Sequence, residues 1–483
     1  MKIKKTISTA LILVGVLLTT GCEDFLTTNP SSTLSENQIV NDMTGIKMLL
    51  QGTYRQIRDG AGSPNFYSPE GINAISTTTG GDIMINDEQV GDFWYFSVFS
   101  SQRYDPTATI PTGMWASMYK IISNANNIIV NIDNIPGDAS ERNEVKGQAL
   151  IIRARCYFNL IRFYQHTYII AKNKPGVPIL LEPVLKSKAR NTVEEVYSQI
   201  VNDLMNAETL LVDYQRPDKQ YYNKDVAQFI LANVYLTMNN WSEAQSYANK
   251  IRTKYPLMSM DEYKAGFSTT NNEWVLGYIQ TSQDYWWYDS PACWYDFGQN
   301  HSPWQAELFI PTKHFAEDIM KGDPRNLTIP NPIYEGKYAA TKFLELKAEG
   351  PFGDLYDLRG AEMYLVEAEA AARQGDVETA KMVLNLLQTQ RGASITIATG
   401  KEELTDAILL ERRKEMWGEG LDYFDIMRLQ KPIVKTISDG HYQEVNIPAN
   451  SNILIMMIPE KEMINNKEMV QNPNPSVTPV YIP

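Results

Sequence analysis

Between residues 284 and 304 the chain reads DYWWYDSPACWYDFGQNHSPW. Four of the nine tryptophans, Trp286, Trp287, Trp294 and Trp304, stand there beside Tyr285, Tyr288, Tyr295 and Phe297. Interleaved with them are Asp284, Asp289, Asp296, Gln299 and Asn300. Flat rings next to carboxylates and amides suit one kind of recognition. The weakly apolar C–H face of a pyranose lies on a ring, and its hydroxyls bond the polar neighbours. Pro291, Gly298 and Pro303 interrupt both the helical and the strand period, so the segment reads as loop. A loop must also bury something, so most of these rings are expected to pack as a small core, with about two facing ligand. Trp287 and Trp294 are the expected presenters, with Asp289 and Asn300 bonding hydroxyls.

A second aromatic knot, GDFWYFSVFS at 91–100, does not alternate cleanly. Some of these rings must therefore be exposed or line a pocket, with Trp94 and Tyr95 as the candidates to close the far side of a ligand site. Trp115, Trp241 and Trp417 stand on helical patterns and are assigned to packing.

Other chemistry is weakly supported. Asp284, Asp289 and Asp296 could supply the two carboxylates that glycoside hydrolysis needs, but acidic residues are common in any sugar-binding loop. The histidines, His166, His301, His314 and His441, are scattered without HExxH or triad order; only His301, near Trp304, lies in the aromatic segment. No metal site and no cofactor is expected. ERRKEMWGEG puts Glu411, Arg412 and Glu415 at ion-pairing spacing on a helix, which reads as structural.

The elements that must position these residues are mostly helices. Apolar residues recur at helical spacing in TGIKMLLQGTYRQIR, GMWASMYKIISNANNIIVNID, SERNEVKGQALIIRARCYFNLIRFYQ, TVEEVYSQIVNDLMNAETLL and KDVAQFILANVYLTMNNWSEAQSYANKIR. Ser140, and Asn191 followed by Thr192, supply N-cap chemistry, while Pro136 and Pro178 mark breaks. From 258 to 352 the pattern stops; it returns in LRGAEMYLVEAEAAARQGDVETAKMVLNLLQTQR and KEELTDAILLERRKEMWGEGLDYFDIMRL. An internal repeat aligns Ala232 with Ala368 and Ala244 with Ala380. Each copy is a helix, a turn (MNNWSE or RQGDVE) and a second helix, with small residues where two helices would meet.

The N-terminus reads as an export signal. MKIKK is followed by an apolar stretch ending at TTGC, too short for a membrane-spanning helix. Cys22 resembles the acylated first residue of a bacterial lipoprotein, although Thr19 stands where Leu is usual. The formal charge is −13 and becomes more acidic once Lys2, Lys4 and Lys5 are removed, which argues against nucleic acid as a partner. Cys156 and Cys293 then make no disulfide framework, and Cys156 is expected to be buried filler.

Taken together, several stretches resemble the SusD/RagB family of outer-membrane nutrient-binding lipoproteins. They are GCEDFLTTNP, MWASMYKIISNANNII, GQALIIRARCYFNLIRFYQ with the following GVPIL, the two C-terminal helical stretches, and the closing IPEKEMINNKEMVQNP. His166, and the pair Asp422 and Tyr423, depart from the family pattern. The resemblance implies a mainly α fold, with a tetratricopeptide-like helix-pair scaffold and an irregular loop-rich part that binds ligand. Its expected regions are a signal at 1–21, an N-terminal helical region at 22–257, and a C-terminal region at 258–483 that includes the aromatic stretch 258–352. It implies a cell-surface protein, lipid-anchored in the outer membrane through Cys22. That protein would capture oligo- or polysaccharide for a SusC-like TonB-dependent transporter. A peptide ligand is the alternative within the family, and a glycoside hydrolase the remote one.

Overall fold

The computed structural model describes residues 40–59, 68–86, 105–183, 187–284, 291–297, 308–343, 352–441 and 444–474. The first helices are α1 (Met43–Asp59), α2 (Pro69–Thr79), α3 (Thr109–Asn131) and α4 (Ala139–Tyr164). They are followed by α5 (Val193–Leu210), α6 (Lys224–Thr237) and α7 (Trp241–Arg252). Then come a four-residue turn α8 (Pro291–Trp294), α9 (Gly360–Gln374), α10 (Val377–Gln390), α11 (Lys401–Glu415) and α12 (Asp422–Arg428). The strands are short: β1 (Ile83–Ile85), β2 (Trp274–Tyr278), β3 (Phe309–Pro311), β4 (Thr328–Pro330), β5 (Tyr338–Ala340), β6 (Leu355–Arg359), β7 (Ile433–Lys435) and β8 (Val445–Ile447). They pair as β1–β3, β2–β6, β4–β5 and β7–β8, all antiparallel. The fold is mainly α, and the strands serve as ties between loops.

Local chemistry sets the helix ends. Thr192 and Glu195 form a reciprocal capping box at the start of α5. At α4 the cap is Asp138, whose carboxylate accepts from the N–H of Ser140. The expected cap, Ser140, is thus already inside the helix: the carboxylate two residues earlier takes the free N–H and starts the helix sooner. Helix α9 ends at Gly375, whose φ of 89° is open to glycine at little cost. Asp376 immediately caps α10, so only two residues, Gly375 and Asp376, join the two helices.

The repeat positions are where helices meet. Ala232, Ala244, Ala368 and Ala380 are all fully buried. Helix α7 packs on both α6 and α9, and α9 packs on α10 and α11, so the two helix pairs form one stack. The main apolar core runs from Ile46 to Met469 and so crosses residues 257 and 258; a smaller one joins α9, α10 and α11. Trp115 is buried, and Trp241 is half-buried beneath the guanidinium of Arg373. Trp417 is buried but lies just past the end of α11. Cys156 and Cys293 are both buried, and neither forms a disulfide among the described residues.

The loop-rich part is fixed to this stack by charge. Glu415, at the end of α11, receives Arg359 at 2.8 Å, Arg391 at 2.9 Å and Arg325 at 3.1 Å. Glu273 joins Arg359 at 2.6 Å and Arg391 at 2.9 Å. Glu419 joins Arg359 at 2.6 Å and Lys342 at 2.7 Å. Every one of these side chains is buried. Burial alone would raise the Glu415 carboxyl, but Arg391, Arg359 and Arg325 hold it well below the usual carboxylate range. Glu411 meets Arg325 at 2.5 Å, so the ion pairing suggested by the sequence for Glu411 and Glu415 is real, and internal.

The helix-stack geometry makes a quantitative prediction. Ala380→Leu inserts three carbons where α10 meets its neighbours and should cost about 1–3 kcal/mol in denaturant unfolding. A neutral result would mean that these small residues do not set the helix spacing.

Candidate functional site

The described part of the 284–304 segment shows how its start and its middle are held. Asp284 takes two hydrogen bonds from Arg58 at the end of α1, both 2.8 Å. Thr281 and Asp284 also close a small backbone bridge. On the other side, Pro291–Trp294 forms one helical turn, where the sequence reads as loop throughout. Trp294 is 2% exposed, with its ring 5.3 Å from that of Phe309. Tyr295 lies 5.0 Å from Phe343, which stacks at 5.6 Å on Tyr356 and meets Trp417 at 6.0 Å.

This ring stack and the charge network share a member. Lys342 donates to Glu419 and to the carbonyls of Glu415 and Trp417, while Tyr263, Phe267, Phe343 and Trp417 surround its ammonium. Burial pulls its pKa down to about 8, and Glu419 opposes the fall. The base of the aromatic segment is thus rigid: rings packed around a paired cation.

A cleft opens beside Pro291, between α2, α4, α6, β6 and α12, with a volume of about 120 Å³. Its walls include Phe158, Phe229 and Phe424; its polar lining includes Glu70, Asn73, Arg155, Arg162, Asn233 and Arg412. Gly420 brings the 416–421 turn against α2, where an added Cβ would sit 2.6 Å from the Cα of Asn73. Glu70 is buried, and its Oε1 has no hydrogen-bond partner among the described residues. Burial pushes its carboxyl up to about 8; Asp357 adds to the rise and Arg155 works against it.

Comparison with known proteins decides the kinship. A family model described as "Starch-binding associating with outer membrane" matches residues 24–236, and one described as "SusD family" matches 336–474. The chain belongs to the SusD/RagB family. A SusD-like protein of Formosa agariphila is 22% identical over 98% of this chain and 99% of its own length. In another from the same organism the match is 21% identical and spans 52% of this chain and 46% of that protein. Among solved structures, a SusD-like carbohydrate binding protein from Bacteroides vulgatus is 25% identical with a TM-score of 0.77, covering 89% of this chain and 97% of that one. A laminarin binding SusD-like protein is 21% identical with a TM-score of 0.71, covering 90% and 99%.

Of the residues expected to contact ligand in this SusD-like protein, Trp94, Tyr95, Trp287, Asp289 and Asn300 lie outside the described residues, as does Cys22. Trp294 is corrected: it is buried against Phe309 and supports the segment rather than presenting a ring. The reason is local. Pro291 starts a helical turn, and that turn points the Trp294 ring into the core. Asp284 is tied to Arg58, and Asp296 is buried.

Sequence reading did not find the cleft. A signal was present in RARCYFNLIRFY: Arg155 and Arg162 recur seven residues apart, and between them only Asn159 is polar or charged among Cys156–Ile161. Cations at that spacing share one helix face, and such a face needs polar company inside the fold.

Glu70 gives the cleft a pH signature. A carboxyl held near 8 in the fold and near 4.5 in the unfolded chain keeps a proton in the folded state that the unfolded state releases. Its stabilising contribution is complete below about pH 4.5 and is lost as pH rises through about 8. Glu70→Gln should therefore melt with a smaller decline between pH 5 and 8 than wild type. An unchanged decline would show that Glu70 titrates normally.

Proposed function

We propose that this SusD-like protein is a non-catalytic surface lipoprotein, acylated at Cys22, that captures a glycan and delivers it to a SusC-like TonB-dependent transporter. The ligand floor is the 285–304 region with Trp287, Asp289 and Asn300, closed by Trp94 and Tyr95. The supporting observation is the buried ring stack at its base. Arg58 fixes Asp284 on one side of residues 285–290, and Trp294 docks on Phe309 just beyond the other. Anchoring both ends of a short aromatic segment lowers the ordering cost of binding, which an aromatic sugar platform requires. The relative described as a SusD-like carbohydrate binding protein supports the same ligand class, and the laminarin binding one suggests the first glycan to try.

The test is calorimetry of laminarin and other oligosaccharides with single alanine variants at Trp94, Tyr95, Trp287, Asp289 and Asn300, each checked for an unchanged melt. A stacking ring that contacts sugar should cost about 1–3 kcal/mol when removed, by analogy with other stacked rings. If every variant binds as wild type does, the site lies elsewhere. Membrane attachment has its own test: Cys22→Ala should free a folded protein from membranes, and continued membrane association would overturn the anchor.

A further inference from the structure

The cleft beside α8 holds groups that the fold leaves unsatisfied. The guanidinium of Arg162 sits between the rings of Phe158 and Phe424, its carbon 3.8 and 3.7 Å from their centroids. It donates from Nε to the carbonyl of Phe158 and from Nη2 to the amide oxygen of Asn159, and Nη1 has no partner among the described residues. No carboxylate of the described residues pairs with it. The neighbouring arginines differ: Arg155 pairs with Asp357, Arg412 with Glu362 and Asp425, and Arg428 with Glu369 and Asp425. Arg412 still keeps a buried Nη1 without a partner, and Glu70 keeps Oε1. The Asn233 amide on α6 lines the same space and makes no side-chain hydrogen bond among the described residues.

One lone cation, two free guanidinium N–H donors, a free carboxyl oxygen and a free amide therefore face a cleft whose walls are partly aromatic. A planar guanidinium fixed between two rings is preorganised for a carboxylate. The unpartnered Oε1 of Glu70 and the Asn233 amide suit hydroxyl groups. We infer that this cleft, bordered by Pro291 but built on α2, α4, α6 and α12, is a second ligand site that takes a small acidic sugar with its carboxylate on Arg162 and Arg412 and its hydroxyls on Glu70 and Asn233. Burial keeps the Glu70 carboxyl largely protonated at neutral pH, which favours a hydroxyl there over the ammonium of an amino acid. The volume, about 120 Å³, is enough for a single small unit.

The experiment is titration calorimetry of the mature full-length protein with glucuronate, glucose, acetate and glycine. Glucuronate should bind at least tenfold more tightly than each of the other three. Arg162→Gln should weaken glucuronate at least tenfold. Should that variant fail to fold, Asn233→Ala, which removes no charge and lines rather than builds the core, should weaken glucuronate severalfold. Trp287→Ala should leave glucuronate binding unchanged, which separates this site from the proposed glycan floor. The inference is overturned if glucuronate gives no saturable binding, or if glucose or acetate matches it. It is equally overturned if glycine binds better, or if Trp287→Ala removes glucuronate binding.

Discussion

A single buried carboxylate, Glu415, organises the half of the molecule that carries the aromatic segment. Three guanidiniums converge on it from the loop after α10, from the junction of β6 and α9, and from the turn before β4. Taking these charges out of water is expensive, and their attraction offsets that cost only while the set stays complete. The network therefore acts as a geometric lock. Any displacement of β2, β6 or the segment around Lys342 leaves a buried charge without its partner. A loop-rich region with strands of three to five residues has few backbone ties of its own, so its placement depends on this lock.

The aromatic stack is laid on the same foundation. Lys342 is bonded into the network and enclosed by Tyr263, Phe267, Phe343 and Trp417. Phe343 in turn carries Tyr295 and Tyr356. Rigidity thus passes from paired charges to packed rings to Tyr295, within the segment proposed to hold glycan. The four tryptophans within residues 284–304 have divided roles. Trp294 is the foundation, and the proposal leaves presentation to others. A helical scaffold can position such a segment without contributing to it, because its own aromatic residues, such as Trp115 and Tyr164, are used to pack helices together.

The sequence made some of this legible and hid the rest for physical reasons. Helix pairs were readable because close approach needs small residues, and Ala232, Ala244, Ala368 and Ala380 recur at the required spacing. Glu411 and Glu415 were readable as ion-pairing residues, but not their partners: Arg391, Arg359 and Arg325 lie 24, 56 and 90 residues from Glu415. Such distances are set by the fold and leave no local pattern. Trp294 was misjudged because a single helical turn is too short to show a period. The polar cleft was missed since it is assembled from α2, α4, α6 and α12, each of which looks ordinary alone.

The lock is tested most directly by Glu415→Gln, which keeps the shape and removes the charge that three arginines share. Leaving those cations under-compensated should lower unfolding free energy by roughly 3–5 kcal/mol. Hydrogen exchange should show the amides of β2 and β6 losing protection before those of α4 and α5. A loss below about 1 kcal/mol with unchanged protection in β2 and β6 would contradict the account, because it would mean that the rings alone hold the loop-rich region in place.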